Sequence, residues 1–308
     1  MPELPEVQTT VDGVNATVKN LIIADVWTNY ASPLKMHEGT IKNPSYFSLF
    51  KKTIRGARIL HATRRAKNVL IHLSLHQGKP SEQTILVHMK MTGHLLYGKY
   101  KNNKGVWSAV DNIALADPFN RHVRLVFCLS NGHHLVLSDM RKFAKVTLIP
   151  TKDLASSPHL SASGPEPLDK NFTEQIFKER LALGKNKPIK MVLMDHTILA
   201  GVGNIYSDEI LWLADTHPLT KTNTLSGKTI QKMFKALRTL LRTGIDLGGD
   251  SMSDYRNIFG ERGTFQKKHK AYQKDGLPCS KRGCTGTLTK IKIGGRSAHF
   301  CPIHQKRT

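Results

Sequence analysis

A secondary amine opens the chain and a cluster of soft metal ligands closes it. Pro2 and Glu3 begin the run "PELPEV", while Cys279-x4-Cys284 and Cys301-x2-His304 stand sixteen residues apart near the other end. With Met1 removed, Pro2 becomes an N-terminal imino acid. Its nitrogen can attack a sugar aldehyde carbon and form an iminium, positive at any pH and an electron sink for later eliminations. An α-amino group titrates near ~8, against ~10 for a lysine, so more of it is free base at neutral pH. Glu3, beside it at a helix start whose dipole favours the carboxylate, can move protons at the reacting carbon. The plainer alternative is an ordinary helix start with acids in its first turn.

Two close ligand pairs joined by a spacer are the usual arrangement for one structural zinc, with Cys279, Cys284, Cys301 and His304 as ligands. The spacer reads as two short strands around Gly294-Gly295, a two-residue hairpin turn, with Arg296 at its tip to meet a phosphate or solvent. The alternative is three unrelated cysteines and a chance histidine. A further anion site is suggested by "LAGVGNIYSDEILWLADTHP": a helix ends near Ala200, glycines permit a sharp turn, and Asn204 caps the next helix. Alone, that stretch is better explained as a capped helical hairpin in a core.

Elements able to position these groups follow from the pattern. Val7, Val11, Val14 and Val18 recur on one face of a helix. The runs "NVLIHLSL", "TILVHMKM", "HVRLVFCL" and "HHLVLSD" read as strands of a β-sandwich or barrel, and "GKYKNNKGVWSAVDNIALADPFN" as a surface loop. The Ser/Pro/Gly-rich "TKDLASSPHLSASGPEPLD" marks a boundary. Helical periodicity then runs from about Phe172 to Gly248.

The charge balance points to an anionic partner: DNA, RNA, ribosomes or an anionic membrane. Lys+Arg number 46 against Asp+Glu 23, a net of +23 with pI near 10.0, spread along the chain as a folded basic face would be. No apolar run is long enough to span a membrane, and the first residues lack the apolar stretch of a signal peptide. Few cysteines, clustered as metal ligands, point to a reducing, intracellular setting.

In this order, the segments "PELPEV", "RRAKNVLIHL", "HMKMTGHL", "DMRKFA", "GPEPL", "PIKMVLMD", "GVGNIY" and the cysteine hairpin resemble the formamidopyrimidine-DNA glycosylase/endonuclease VIII family of base-excision repair enzymes. The resemblance covers nearly the whole chain. It implies Pro2 as the nucleophile at the deoxyribose C1′, Glu3 as general acid/base, and Glu6 as part of the lesion site. It likewise implies Lys67 as a hairpin lysine on a phosphate near the lesion, and Asn204, Lys190 and Arg296 on the flanking phosphates. Met91, Arg141 and Phe143 match the positions that fill the gap when a damaged nucleotide is flipped out of the duplex. Three departures stand out: Asp139-Met140-Arg141-Lys142-Phe143-Ala144 replaces the family's Asp-Pro-Arg-Arg-Phe-Gly; the metal set is Cys3His with a wider first spacing; and "DYRNIFGERGTF", in the place of the lesion-capping loop, differs from bacterial forms.

The expectation is an α+β protein: a catalytic N-terminal helix and β-sandwich (1–150), a linker (151–168), a helical domain with a helix-two-turn-helix (169–260) and a zinc hairpin (261–308). It is expected to act as a monomer on damaged double-stranded DNA, removing oxidised bases and cleaving the abasic site by β- and δ-elimination. The rival readings are a non-catalytic zinc-containing nucleic-acid-binding protein, and the same chemistry confined to oxidised pyrimidines or single strands.

Overall fold

Helix α1 (Leu4–Thr17) starts where its sequence permits a start. Glu3 and Glu6 form a reciprocal capping box, and proline in the first turn costs no hydrogen bond. Asn20, at a positive φ of 68°, turns the chain out after the helix. Val7, Val11, Val14 and Val18 are all buried, each contributing about 1.5–3 kcal/mol of apolar burial. That burial is what holds a helix rich in β-branched residues. The computed structural model describes residues 1–32, 34, 37–75 and 82–307.

After α1 come β1 (Ile23–Thr28), α2 (Pro44–Ile54), β2 (Arg58–Arg65), β3 (Asn68–Ser74), β4 (Gln83–His88), β5 (His94–Gly98), β6 (Tyr100–Asn103), β7 (Val106–Ala109), β8 (Val123–Leu129), β9 (His134–Ser138) and β10 (Lys145–Pro150). They form two antiparallel four-stranded sheets, ordered β1-β8-β9-β5 and β10-β4-β3-β2. Leu125, Phe127, Leu135, Leu137, Val69, Ile71, Ile85 and Val87 meet the α1 valines in one core. The α+β sandwich expected from the sequence is present.

The segment expected to be a surface loop is not one. Residues 98–120 fold into the β6–β7 hairpin and a 3₁₀ turn, Ile113–Ala116. Tyr100 and Leu115 pack with Leu96, Val126 and Val136 on the outer face of the first sheet. A strand as continuously apolar as "VRLVFCL" needs both faces covered, and the insertion covers the second.

The rest comprises α3 (Glu174–Ala182), α4 (Ile189–Met194), α5 (Asn204–Leu213), α6 (Gly227–Asp246), β11 (Thr289–Ile293) and β12 (Arg296–Phe300). By packing, the chain divides into Met1–Ser161 with Leu247–Thr264, and Ala162–Asp246 with Phe265–Thr308. The expected helical domain, 169–260, therefore differs from the observed unit: the segment after α6 belongs with the sandwich, where Ile258 enters the core. The helix expected to reach Ala200 stops at Met194, because Asp195 turns to extended backbone. Gly294 and Gly295 both adopt positive φ, 54° and 77°, which closes the β11–β12 hairpin in two residues.

Candidate functional site

In the first unit Pro2, Glu3 and Glu6 are all buried. Glu6 is held from both sides: its Oε2 accepts the Glu3 N–H at 2.7 Å and its Oε1 accepts the Asp250 N–H at 2.7 Å. Tyr255 and Thr10 hydroxyls donate to the Glu6 carbonyl at 2.9 and 2.8 Å. Asp250 follows Gly249, whose φ of +84° and approach to Glu6 Cγ leave no room for a side chain: a Cβ there would lie 2.8 Å away. Complete burial raises the Glu6 carboxyl to about 7, with the Glu3 charge adding and the two N–H donors opposing. The N-terminus thus carries a carboxyl able to change protonation near neutral pH. Asp250 and Tyr255, which complete this arrangement, had no signal in the sequence beyond lying after a Gly-Gly pair.

Register gathers the other predicted residues of this unit. Arg65, Asn68, His88 and Lys145 pair in a row across β2, β3, β4 and β10. The turns beyond that row therefore share one end of the sheet. They are the β2–β3 turn with Lys67, the β4–β5 turn with Met91, and the β9–β10 turn with Arg141 and Phe143. Ala66 (φ 53°) sharpens the first turn; Arg64 donates to its carbonyl at 3.0 Å and Asn68 to that of Arg65 at 3.1 Å. Lys67 itself is half-buried. Burial first, then the charges of Lys90, Lys67 and Lys145, hold His88 down at about 3, so this cationic end keeps a neutral imidazole.

The turns bearing Met91 and Arg141 are tied together by Asp139, to which the sequence reading gave no role beyond its place in a motif. Asp139 is fully buried; it accepts the Thr92 hydroxyl at 2.5 Å, the Tyr30 hydroxyl at 3.1 Å and the Ala144 N–H at 2.8 Å. The Arg141 N–H returns to Thr92 Oγ1 at 3.1 Å, and the Lys42 ammonium caps the Lys142 carbonyl at 2.5 Å. Phe143 is left 47% exposed, with the Arg141 guanidinium 4.5 Å from its ring centre. An exposed Phe, Met140 and Arg on a loop this firmly anchored form a presented surface. An acid closing a strand, "HHLVLSD", was the available signal.

In the second unit the expectation for Lys190 is corrected. Its side chain is 1% exposed and its ammonium donates to Asn204 O at 3.0 Å, Ser207 Oγ at 2.9 Å and Asp208 Oδ1 at 2.7 Å. Three donors meeting three acceptors leave nothing to offer a phosphate. Asn204 is also shifted from its expected role: Gly203 occupies the cap and Asn204 is the first residue of α5. Its half-buried side chain has an Oδ1 without a protein partner among the described residues, at a helix end that favours anions. Arg296 is exposed at the start of β12.

The cysteine cluster is assembled as expected. Ligand atoms of Cys279, Cys284, Cys301 and His304 all lie within 4.8 Å of one another. Cys284 and Cys301 sulfurs are 3.6 Å apart; His304 Nδ1 is 3.3 Å from Cys279 and 3.9 Å from Cys284. A tetrahedral zinc with bonds of about 2.0–2.3 Å sets its ligand atoms roughly 3.4–3.8 Å apart, so the set fits. His304 Nε2 donates to the Trp212 carbonyl at 3.3 Å, which leaves the Nδ1 lone pair for the metal.

Comparison with known proteins finds one family in both halves of the chain. Residues 1–146 match the formamidopyrimidine-DNA glycosylase N-terminal domain and residues 163–256 its H2TH domain. The formamidopyrimidine-DNA glycosylase of Pelotomaculum thermopropionicum is 35% identical over 306 residues, 99% of either chain. That of Bacillus subtilis is 35% identical over 305 residues, 98% of either chain. Among solved structures, Lactococcus lactis Fpg with abasic-site DNA and a mutant of it with Fapy-dG DNA each superpose with a TM-score of 0.82. Each is 28% identical and covers 99% of this chain and 100% of its own.

Proposed function

The chain belongs to the formamidopyrimidine-DNA glycosylase family, and on that premise we propose how its own residues divide the work. The protein is a DNA glycosylase and abasic-site lyase for oxidised bases, and it binds DNA. Pro2, freed of Met1, attacks C1′ of the damaged nucleotide. The C1′–base bond breaks and its electron pair leaves with the base, which takes up the proton lost by the amine; the C1′–O4′ bond then opens, O4′ taking a proton, and C1′ becomes an iminium. Loss of a C2′ proton then expels the 3′ phosphate, and a second elimination expels the 5′ phosphate. Glu3 transfers protons at the sugar, and Glu6 supports the lesion side of the same site.

The observation that carries this reading is the run of buried residues Pro2, Glu3 and Glu6, with the Glu6 carboxyl raised to about 7 and bonded to the Glu3 N–H. Lys67 meets a phosphate near the lesion, while Met91, Arg141 and Phe143 fill the duplex once the base is out. Phe143 enters between bases, and Arg141 hydrogen-bonds the partner base. Asn204 and Arg296 take flanking phosphates. The cluster of Cys279, Cys284, Cys301 and His304 is compatible with one structural zinc, which would keep the hairpin that presents Arg296 folded. The preferred lesions are formamidopyrimidines and 8-oxoguanine, and the protein acts as a monomer.

The test is a chain whose Met1 is made uncleavable by an added N-terminal residue. It binds lesion DNA but removes no base and cleaves no strand. An extended chain of normal activity overturns the assignment of Pro2.

A further inference from the structure

Three segments converge on the paired acids Asp208 and Glu209, buried in the apolar helix α5. Asp208 is 1% exposed and divides its two oxygens between different elements. Oδ1 takes the Lys190 ammonium from α4 at 2.7 Å. Oδ2 takes both the backbone N–H of His299 at 3.0 Å and its Nδ1 at 2.9 Å, from β12. On its other side His299 Nε2 lies 3.6 Å from Asp275. Glu209 accepts three successive backbone N–H groups, of residues 270 to 272, at 2.8–2.9 Å, in the segment that leads into the zinc hairpin.

Asn204 begins α5 one turn before Asp208, and Arg296 begins β12 three residues before His299. From this geometry we propose that Asp208 and His299 are positioning residues. Through them the helix start bearing Asn204 and the hairpin bearing Arg296 are held at a fixed separation, so that the two side chains engage DNA phosphates together. The proposal rests on the reading of Asn204 and Arg296 as phosphate contacts. The zinc cluster ties the base of the hairpin to the last turn of α5 through His304 and the Trp212 carbonyl; the Asp208–His299 pair ties β12 to the middle of that helix, nearer Asn204. A carboxylate taking two charge-assisted or backbone bonds from one residue defines direction as well as distance, so that small tilts of the hairpin are resisted.

Salt dependence of duplex binding reads this out, because each phosphate engaged contributes about −0.9 to the slope of log K against log salt. Arg296→Ala is expected to reduce the slope by about that amount. His299→Ala is expected to reduce it equally and to weaken binding at fixed salt about tenfold, while one equivalent of zinc is retained. His299→Asn, whose amide N–H can stand where Nδ1–H stands, restores both. His299→Gln fills the same space without an N–H at that point, so it behaves as the alanine variant and serves if that variant does not fold. Base removal under saturating, single-turnover conditions stays within about twofold in the three His299 variants. If His299→Ala and His299→Gln keep the wild-type slope while Arg296→Ala loses its share, the proposal is overturned. An unchanged slope in Arg296→Ala instead overturns the phosphate reading beneath it, and the proposal with it.

Discussion

Replacing Glu6 with glutamine probes the electrostatics on which the N-terminal site depends. The native carboxyl sits at about 7 because its burial is complete and Glu3 lies beside it, against an ordinary value of 4.5. A difference of about 2.5 pH units corresponds to about 3 kcal/mol. Below pH 4.5 both folded and unfolded chains hold the proton, and the site carries no penalty. Between about 4.5 and 7 the unfolded chain releases it first, so stability falls as pH rises; above 7 the loss is complete. Glutamine has no such dependence. It does face two N–H donors, from Glu3 and Asp250, with a single acceptor oxygen, which costs about 1–3 kcal/mol at every pH. The variant is therefore less stable than wild type at pH 5, and the difference moves in the variant's favour by about 2.5 kcal/mol on going to pH 8. Urea unfolding of both full-length proteins at intervals across that range measures it. A difference that stays constant, or moves against the variant with rising pH, refutes the reasoning.

Other perturbations act on single contacts. Gly249→Ala places a Cβ 2.8 Å from Glu6 Cγ at a φ of +84°, so thermal unfolding should show a loss of about 2 kcal/mol or more and lesion excision should fall with it. Asp139→Asn removes one of the acceptors that hold the Met91 and Arg141 turns together. Its kcat/KM on lesion duplexes drops about tenfold while activity on the same lesion in single strands is little changed; equal losses on both contradict a duplex-filling role. Gly286→Ala sets a Cβ 2.5 Å from Cys301 Sγ, and competition with a chelator should show zinc held at least about tenfold more weakly.

Much of the site was legible because its chemistry depends on residue type at fixed spacing. Pro2-Glu3 at the chain start and the four zinc ligands needed no fold to be noticed, and the α1 valines gave their helix directly. Legibility failed where a residue's role is set by partners far along the chain. Lys190 in "PIK" is expected on a flanking phosphate, yet Asp208, eighteen residues on, draws it inside. Asp250 and Tyr255 reach Glu6 across more than 240 residues. The loop reading of residues 98–120 missed that the continuous apolarity of β8 demands a cover on its outer face. Asp208 and Glu209, two acids in an otherwise apolar helix, were a visible anomaly whose resolution needed the hairpin and the segment before it.

The most direct measurement captures the intermediate itself. Lesion-containing duplex is incubated with the processed protein and borohydride, and the adduct is digested and mapped by mass spectrometry. The reduced sugar should be found on the nitrogen of Pro2 in a peptide lacking Met1. An adduct on Lys67 or another lysine, or excision with no adduct at all, contradicts the account.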